Sequence, residues 1–524
     1  MRPLIGEIQT SHTPESLVEQ LRGEPGVVLL GSALFDSPQA RYSFVTARPF
    51  LTFRSSGSRC ELRSAHGAQI QFGDPWHLLD SLMSRYELLE EMDLPFPLGG
   101  CFGYWGYDLK NFVEPKLPRH AVNDLELPDC HVGFYDSLVV FDHRLGKTWI
   151  VSTGLNADGS RSEERGRQQL EFWHGKLEAD KNETLTPALS LSERERENRS
   201  PSCEHSETPE YQRGAPKLLP LRLRGGEGRG EVAVSSNLSR AEFIAAVERA
   251  QRYIRAGDIY QVNLSQRLAV PSDCSGWEFF QRLSAVSPAP FSAFLDCGEF
   301  QIASSSPEQF LRLSGSHIQT RPIKGTRPRS TDPTRDAQLA YELQTSAKEL
   351  AELVMITDLL RNDLGKVCEF GSVQVPELAR LERFAHVQHL VSTVEGRLRR
   401  EVTHFSALSS CFPGGSITGA PKFRAMEIID ELEAIARGPY TGAIGYLGFN
   451  RESQLSIIIR TAICKGRVIY FHVGAGIVAD SIPAAEYEET LAKARGFLQA
   501  LQPQPKNTRV GVNTSVRLDE QARA

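Results

Sequence analysis

A break in composition constrains this chain more than any other feature. From Leu177 to Ser236 it reads LEADKNETLTPALSLSERERENRSPSCEHSETPEYQRGAPKLLPLRLRGGEGRGEVAVSS, rich in Ser, Glu, Arg, Pro and Gly and without a sustained period. Such a stretch buries too little apolar area to offset the entropy of ordering it. We read 177–236 as a low-complexity, disordered insertion; the alternative is an arm that orders on a partner. The insertion divides the 524 residues into an ordered region 1–176, a second ordered region 237–502 and a polar tail 503–524.

The first region alternates short apolar runs with turns. VVLLGSALF, FVTA, LTFR and LVVFDH read as strands. WHLLDSLMSRYELLEEM, over 76–92, carries Leu78, Leu79, Leu82, Tyr86 and Leu89 at helical spacing. Order resumes at SRAEFIAAVERAQRYIRAGDIYQVNLSQRL, where Ser239 or its neighbour caps a helix with Phe243, Ile244, Val247 and Ile254 on its apolar face. Gly257 ends that helix and YQVNLSQRL follows as a strand. Helices and strands then interchange to about Leu501, which predicts an α/β or α+β chain.

With 40% hydrophobic residues the chain can form a sizeable core. Its 59 Lys and Arg against 65 Asp and Glu leave no basic excess for phosphates, so we expect no nucleic-acid partner. No apolar run approaches 18 residues, so we expect no membrane span. The opening MRPLIGEIQTSHTPES lacks a cationic stretch followed by an apolar one, and the nine cysteines form no C-x-x-C pair. These predict a cytoplasmic protein with reduced thiols.

Several constellations could carry chemistry. Glu349 and Glu352, and again Glu486 and Glu489, are three apart on apolar helices and share a face. Face to face, the two pairs make an oxygen-only site suited to Mg²⁺. Otherwise Glu349 closes a capping box with Ser346 and Glu489 pairs with Lys493. CFPGGSITGAPKFRAMEIIDELE spaces Gly414 and Gly419 like a phosphate loop, but Ala420 and Pro421 stand where Lys and Ser or Thr belong. Such a turn still suits an anion, a carboxylate included. In TRPIKGTRPR, Lys324 sits in an apolar-flanked turn, where a desolvated lysine is a nucleophile. In SSSPEQF, Glu308 stands at a strand end as a candidate general acid. Arg460, ending SIIIR, and the glycines of HVGAGIVADS could clamp a carboxylate. Gly99-Gly100-Cys101-Phe102-Gly103 imitates a nucleophile elbow, but GYWGYDL follows it and not an amphipathic helix.

Together, YQVNLSQR, SSSPEQF, RPIKGTRPR, KELAELVMITDLLRNDLG, VQHLVSTVEG, FPGGSITGAPK, PYTGAIGYLGFN, SIIIRTA and GAGIVADSIPAAEYEETLAKARG resemble the chorismate-utilising enzymes over about residues 238 to 500. LLGS, RYSF, GGCFGYWGYDL and VVFDH resemble that family's N-terminal part. The resemblance implies a large layered β-sandwich flanked by helices, with the N-terminal region part of the same body. It implies chorismate as substrate and Mg²⁺ at Glu349, Glu352, Glu486 and Glu489. It implies substrate contacts from Thr326, His389, Ser416, Thr418, Gly419, Ala420, Tyr440, Arg460, Gly474, Ala475, Gly476 and Lys493.

Anthranilate synthase large subunits resemble PIAGT where this chain reads PIKGT. A lysine there is similar to the aminodeoxychorismate-forming branch. That branch implies Lys324 as nucleophile, Glu308 as general acid, and ammonia supplied by a glutamine amidotransferase subunit. The rival is the anthranilate-forming branch; a non-enzymatic relative is opposed by the presence of the lysine, both acidic pairs and His389. Water-activating relatives carry lysine where this chain has Gln261. The family's tryptophan pocket reads LLES or LLDS, whereas Leu29 to Ser32 read LLGS and lack the acidic residue.

Overall fold

A computed structural model describes residues 2–32, 41–88, 94–178, 219–221, 234–384 and 387–502. The tail and most of the expected insertion lie outside the described residues. Three parts of 177–236 are described: Leu177 and Glu178 end the helix Glu163–Glu178, and Leu219–Leu221 pairs with Val234–Ser236, which pairs with Gln261–Pro271. This corrects the reading of the whole stretch as disordered. A sheet edge offers unpaired backbone groups, and a segment of weak propensity can satisfy them.

Two large antiparallel sheets carry the fold. The first runs Leu4–Ile8, Lys147–Ser152, Ser137–Asp142, Tyr42–Thr46, Val28–Gly31, Phe291–Asp296, Phe300–Ser306, Thr461–Lys465, Val468–Ile477, Gln261–Pro271, Val234–Ser236, Leu219–Leu221. The second runs Ile323–Pro328, Val387–Arg397, His317–Arg321, Gln309–Ser314, Glu452–Ile457, Ala443–Gly448, Gly100–Trp105, Cys130–Tyr135, Leu51–Ser56, Arg59–Ser64, Gly67–Phe72. Strands from before and after the composition break are neighbours in both. Val28–Gly31 pairs with Phe291–Asp296, and Gly100–Trp105 pairs with Ala443–Gly448. The chain is thus a mixed α/β layered sandwich.

The apolar runs explain why. Side chains alternate across a strand. Val28, Phe44, Val140 and Val151 enter the core between the sheets, whereas their neighbours Leu29, Val45, Val139 and Ile150 pack with the helices outside, around Trp173, Phe279 and Phe497. A strand covered on both faces must be apolar at every position, hence VVLL and LVVF without polar interruption.

The helix expected over 76–92 spans Pro75–Tyr86, capped by Asp74. The one after Ser239 spans Arg240–Ala256, with a Ser239–Glu242 capping box and a left-handed Gly257. Gly100–Trp105 is a fully buried strand. A Cβ at Gly103 would lie 2.2 Å from the His131 carbonyl, so these glycines serve close strand approach, and burial raises the Cys101 thiol far above its usual range. Among the described residues eight cysteines are free thiols. No helix among them is long and apolar enough to cross a membrane.

Candidate active site

One cavity of about 720 Å³ opens beside the ends of the two sheets. Its first wall is made by strands. Lys324 and Thr326 lie on the strand Ile323–Pro328, not in the expected turn. The pairing slips between Lys324, opposite Leu390, and Thr326, opposite His389. Gly325 takes up the slip at φ +71°, where a Cβ would lie 2.6 Å from Leu343 and 3.1 Å from the Glu349 carboxylate. Glycine alone fits that bulge. Glu308 follows the strand Phe300–Ser306, and its buried carboxyl is raised above the usual range by burial. A hydrogen bond from Ser416 and the Lys324 charge oppose that rise.

His389 Nδ1 lies 2.9 Å from Thr326 Oγ1 and 3.4 Å from the Gly325 carbonyl oxygen. A carbonyl only accepts, so this contact assigns the proton to Nδ1 and leaves Nε2 an acceptor. Burial pushes His389 down to about 4. Arg460, the strand end expected from SIIIR, lies three residues beyond the observed strand Glu452–Ile457 and turns the corner at φ +49°. Its guanidinium is open to the cavity yet ringed by protein, which lowers its pKa. Neither Arg460 nor Lys324 makes a side-chain hydrogen bond or ion pair among the described residues. Tyr440 stacks on His472, centroids 4.9 Å apart, and burial raises its phenol to about 12.

The second wall is made by helices. Ser346 caps Ala347–Gly365 through the Glu349 amide at 3.4 Å, which places Glu349 and Glu352 over the cavity. The Glu349 carboxylate meets Arg327 at 3.5 Å and does not close the capping box. Pro483–Leu501 supplies Glu486 and Glu489. Glu489 pairs with Lys493 at 2.8 Å, the alternative raised from spacing, and Lys493 also donates to the Gly474 carbonyl at 2.8 Å. Burial raises both Glu352 and Glu486, and the Glu489 charge adds to each. These four carboxylates could hold a metal, as an oxygen-only set whose charges are incompletely balanced. Among the described residues no three His, Cys, Asp or Glu side chains gather closely enough to hold one unaided.

Four expected substrate contacts do not line the cavity. Thr418 turns its hydroxyl to the Gly414 and Gly415 carbonyls, and Gly419 and Ala420 pair with Val262 and Gln261. Ala475 packs with Phe243 and Tyr487, because strand alternation sends Gly474 and Gly476 to the cavity and Ala475 away from it. The remaining fourteen predicted residues all line it.

A family model described as chorismate binding enzyme matches residues 32–499. This chain belongs to the chorismate-binding enzymes. It is 37% identical over 492 residues to anthranilate synthase component 1 of Acetivibrio thermocellus, covering 94% of this chain and 93% of that protein. It is 38% identical over 481 residues to aminodeoxychorismate synthase component 1 of Salmonella typhimurium, covering 91% and 93%. The crystal structure of anthranilate synthase component I from Streptococcus pneumoniae superposes with a TM-score of 0.70 at 31% identity, covering 88% of this chain and 93% of that one.

Within this chorismate-binding enzyme, sequence reasoning missed several cavity residues, among them Asn263, Lys348, Phe384 and His472. Lys348 acts on both Glu352 and Glu486. Its place beside Glu349 in the first turn of an acidic helix was the available signal. His472 had none, since a lone histidine in a strand reads as core.

Proposed function

We propose that this chain aminates chorismate to 4-amino-4-deoxychorismate, in the cytoplasm, with ammonia from a glutamine amidotransferase subunit. The observation that carries the reading is Lys324: a lysine in PIKGT whose amine faces the same cavity as the buried Glu308 carboxyl. The Lys324 amine adds to the ring and expels the ring hydroxyl. Glu308, whose protonated form is favoured by burial, gives its proton to that hydroxyl, which leaves as water. Ammonia then attacks the adduct and displaces the lysine. The enolpyruvyl group stays in place, so chorismate and ammonia become product and water.

The other residues bind and orient. Arg460 offers unpaired donors to a substrate carboxylate. Neutral His389, held by Thr326, presents an acceptor. Gly474 and Gly476 keep the floor open: a Cβ at Gly474 would lie 2.8 Å from the Tyr440 hydroxyl. Glu349, Glu352, Glu486 and Glu489 would hold Mg²⁺. When bound, that ion supplies a Lewis acid for the ring carboxylate and withdraws electron density from the diene.

A second reading, anthranilate formation with loss of pyruvate, is favoured by relatives of equal identity that carry that name. The product decides. The purified chain with chorismate, Mg²⁺ and ammonium should yield 4-amino-4-deoxychorismate without pyruvate; pyruvate released in step with turnover overturns the reading.

A further inference from the structure

Lys422 and Asp363 each stand at the wrong end of a helix. Lys422 is the first residue of Lys422–Leu432, where the macrodipole is positive and disfavours a cation. Asp363 lies in the last turn of Ala347–Gly365, where the dipole disfavours an anion. Both side chains are withdrawn from solvent, at 12% and 1% exposure. Local rules broken twice at one place point to a tertiary purpose.

The contacts show what the pair joins. The Lys422 ammonium donates to the Asp363 carboxylate, to the Cys411 carbonyl at 3.2 Å and to the Pro413 carbonyl at 2.9 Å, so its three donors are all used. Lys366 reaches the other Asp363 oxygen at 3.1 Å. Cys411 ends the helix His404–Cys411, and Pro413 opens the Gly-rich segment that leads to Ser416. Ser416 meets the Glu308 carboxyl with its side chain, and its carbonyl accepts from Asn263 at 3.1 Å. The other end of Ala347–Gly365 carries Glu349 and Glu352. One buried pair therefore ties the helix bearing two cavity carboxylates to the loop that contacts the acid.

We infer that Asp363 and Lys422 are positioning residues: their buried ion pair fixes the Ser416 loop against the helix of Glu349 and Glu352, and so fixes the general acid relative to the acidic wall. The inference deepens the reading above and rests on it for the role of Glu308. Neither residue lines the cavity, so neither touches substrate.

The test uses the full chain with chorismate, Mg²⁺ and ammonium, and follows chorismate consumption, whichever product forms. A wrong product would refute the amination reading and leave this test standing. Lys422→Met and Asp363→Asn should each lower kcat about 10- to 100-fold with KM for chorismate changed less than about threefold, the pattern of a displaced acid and not of lost binding. Asp363→Asn leaves the buried Lys422 charge without its carboxylate, and Lys422→Met leaves Asp363 with Lys366 alone, so each single variant will lose stability. The double variant Asp363→Leu/Lys422→Met removes both charges. It should recover a Tm near that of the parent and still show the low kcat. A double variant with parental kcat would mean that the pair only stabilises the fold, and overturns the inference. Lys422→Arg gives an independent arm. It keeps the charge, but a planar guanidinium cannot bring three donors to the place of one nitrogen. Parental Tm with reduced kcat supports positioning, and parental kcat refutes it, even if the double variant does not fold.

Discussion

The two walls of the cavity are built on opposite principles. On the strand wall the fixed groups are held by neutral contacts: Thr326 holds His389, and Ser416 holds Glu308. Burial keeps His389 neutral there and raises the Glu308 carboxyl above its usual range, which favours its protonated form. On the helix wall four carboxylates from two helices share one space, and burial and mutual repulsion raise Glu352 and Glu486. The difference teaches that the first wall is finished by the protein alone, as preorganised acid–base chemistry requires. The second stores negative charge that a bound cation would relieve.

The sharpest way to break this comparison is to remove the amine. Lys324→Ala should lower amination at least about a thousandfold, on the scale of a lost nucleophile. Mg²⁺ binding measured by calorimetry should survive; an equal loss of metal affinity would place Lys324 in the metal wall. Next, Glu308→Gln should lower kcat about 10²- to 10⁴-fold, the range for general acid–base catalysis. In the parent, the acid is active while protonated. Its raised pKa extends that form upward, and the rate should decline as pH rises through it, a limb that Glu308→Gln abolishes.

On the helix wall, Glu352→Gln or Glu486→Gln should weaken Mg²⁺ binding at least about tenfold, as loss of one anionic ligand predicts. In the parent, Mg²⁺ affinity should fall as pH is lowered, because both acids retain protons above the usual carboxylate range and the ion must displace them. A pH-independent affinity would refute the role given to these two groups.

The smallest effect concerns stability. His389 and His404 are held neutral down to about pH 4, each by burial. Below the ordinary histidine value of 6.5 the unfolded chain binds protons that the native chain refuses. Their contribution is therefore complete above pH 6.5 and is lost as pH falls toward 4. At pH 5 each should cost the fold about 2 kcal/mol. Thermal unfolding of the parent and of His404→Gln would show this, with a shallower acid limb in the variant.

Two glycine-rich segments show how far the sequence was legible. Gly99 to Gly103 and the stretch from Gly414 to Gly419 both have the spacing of functional loops. The residues after the first, GYWGYDL, told against an elbow, and it is a buried strand. The second does reach the cavity, but only through Ser416 and Ile417. Thr418, Gly419 and Ala420, named by resemblance, do not line it, and the sequence does not show which carbonyls and strands claim them. Ala475 points away from the cavity, as the alternation of Gly474, Ala475 and Gly476 along the strand implies.

By itself the sequence determined the strand-rich character, the helix ends at Ser239 and Gly257, and the identity of most groups that meet in the cavity. The first two depend on local patterns, apolar runs and caps; most of the cavity groups were named by resemblance to the family and not by spacing. Only the tertiary structure decided that the two ordered regions share both sheets, that Lys324 stands on a strand beside a glycine bulge, and that Asp363 and Lys422 meet from distant helices. These rest on pairings between residues tens to hundreds of positions apart. Periodicity within one segment shows a face to be buried or charged, and the partner for that face comes from packing the whole chain.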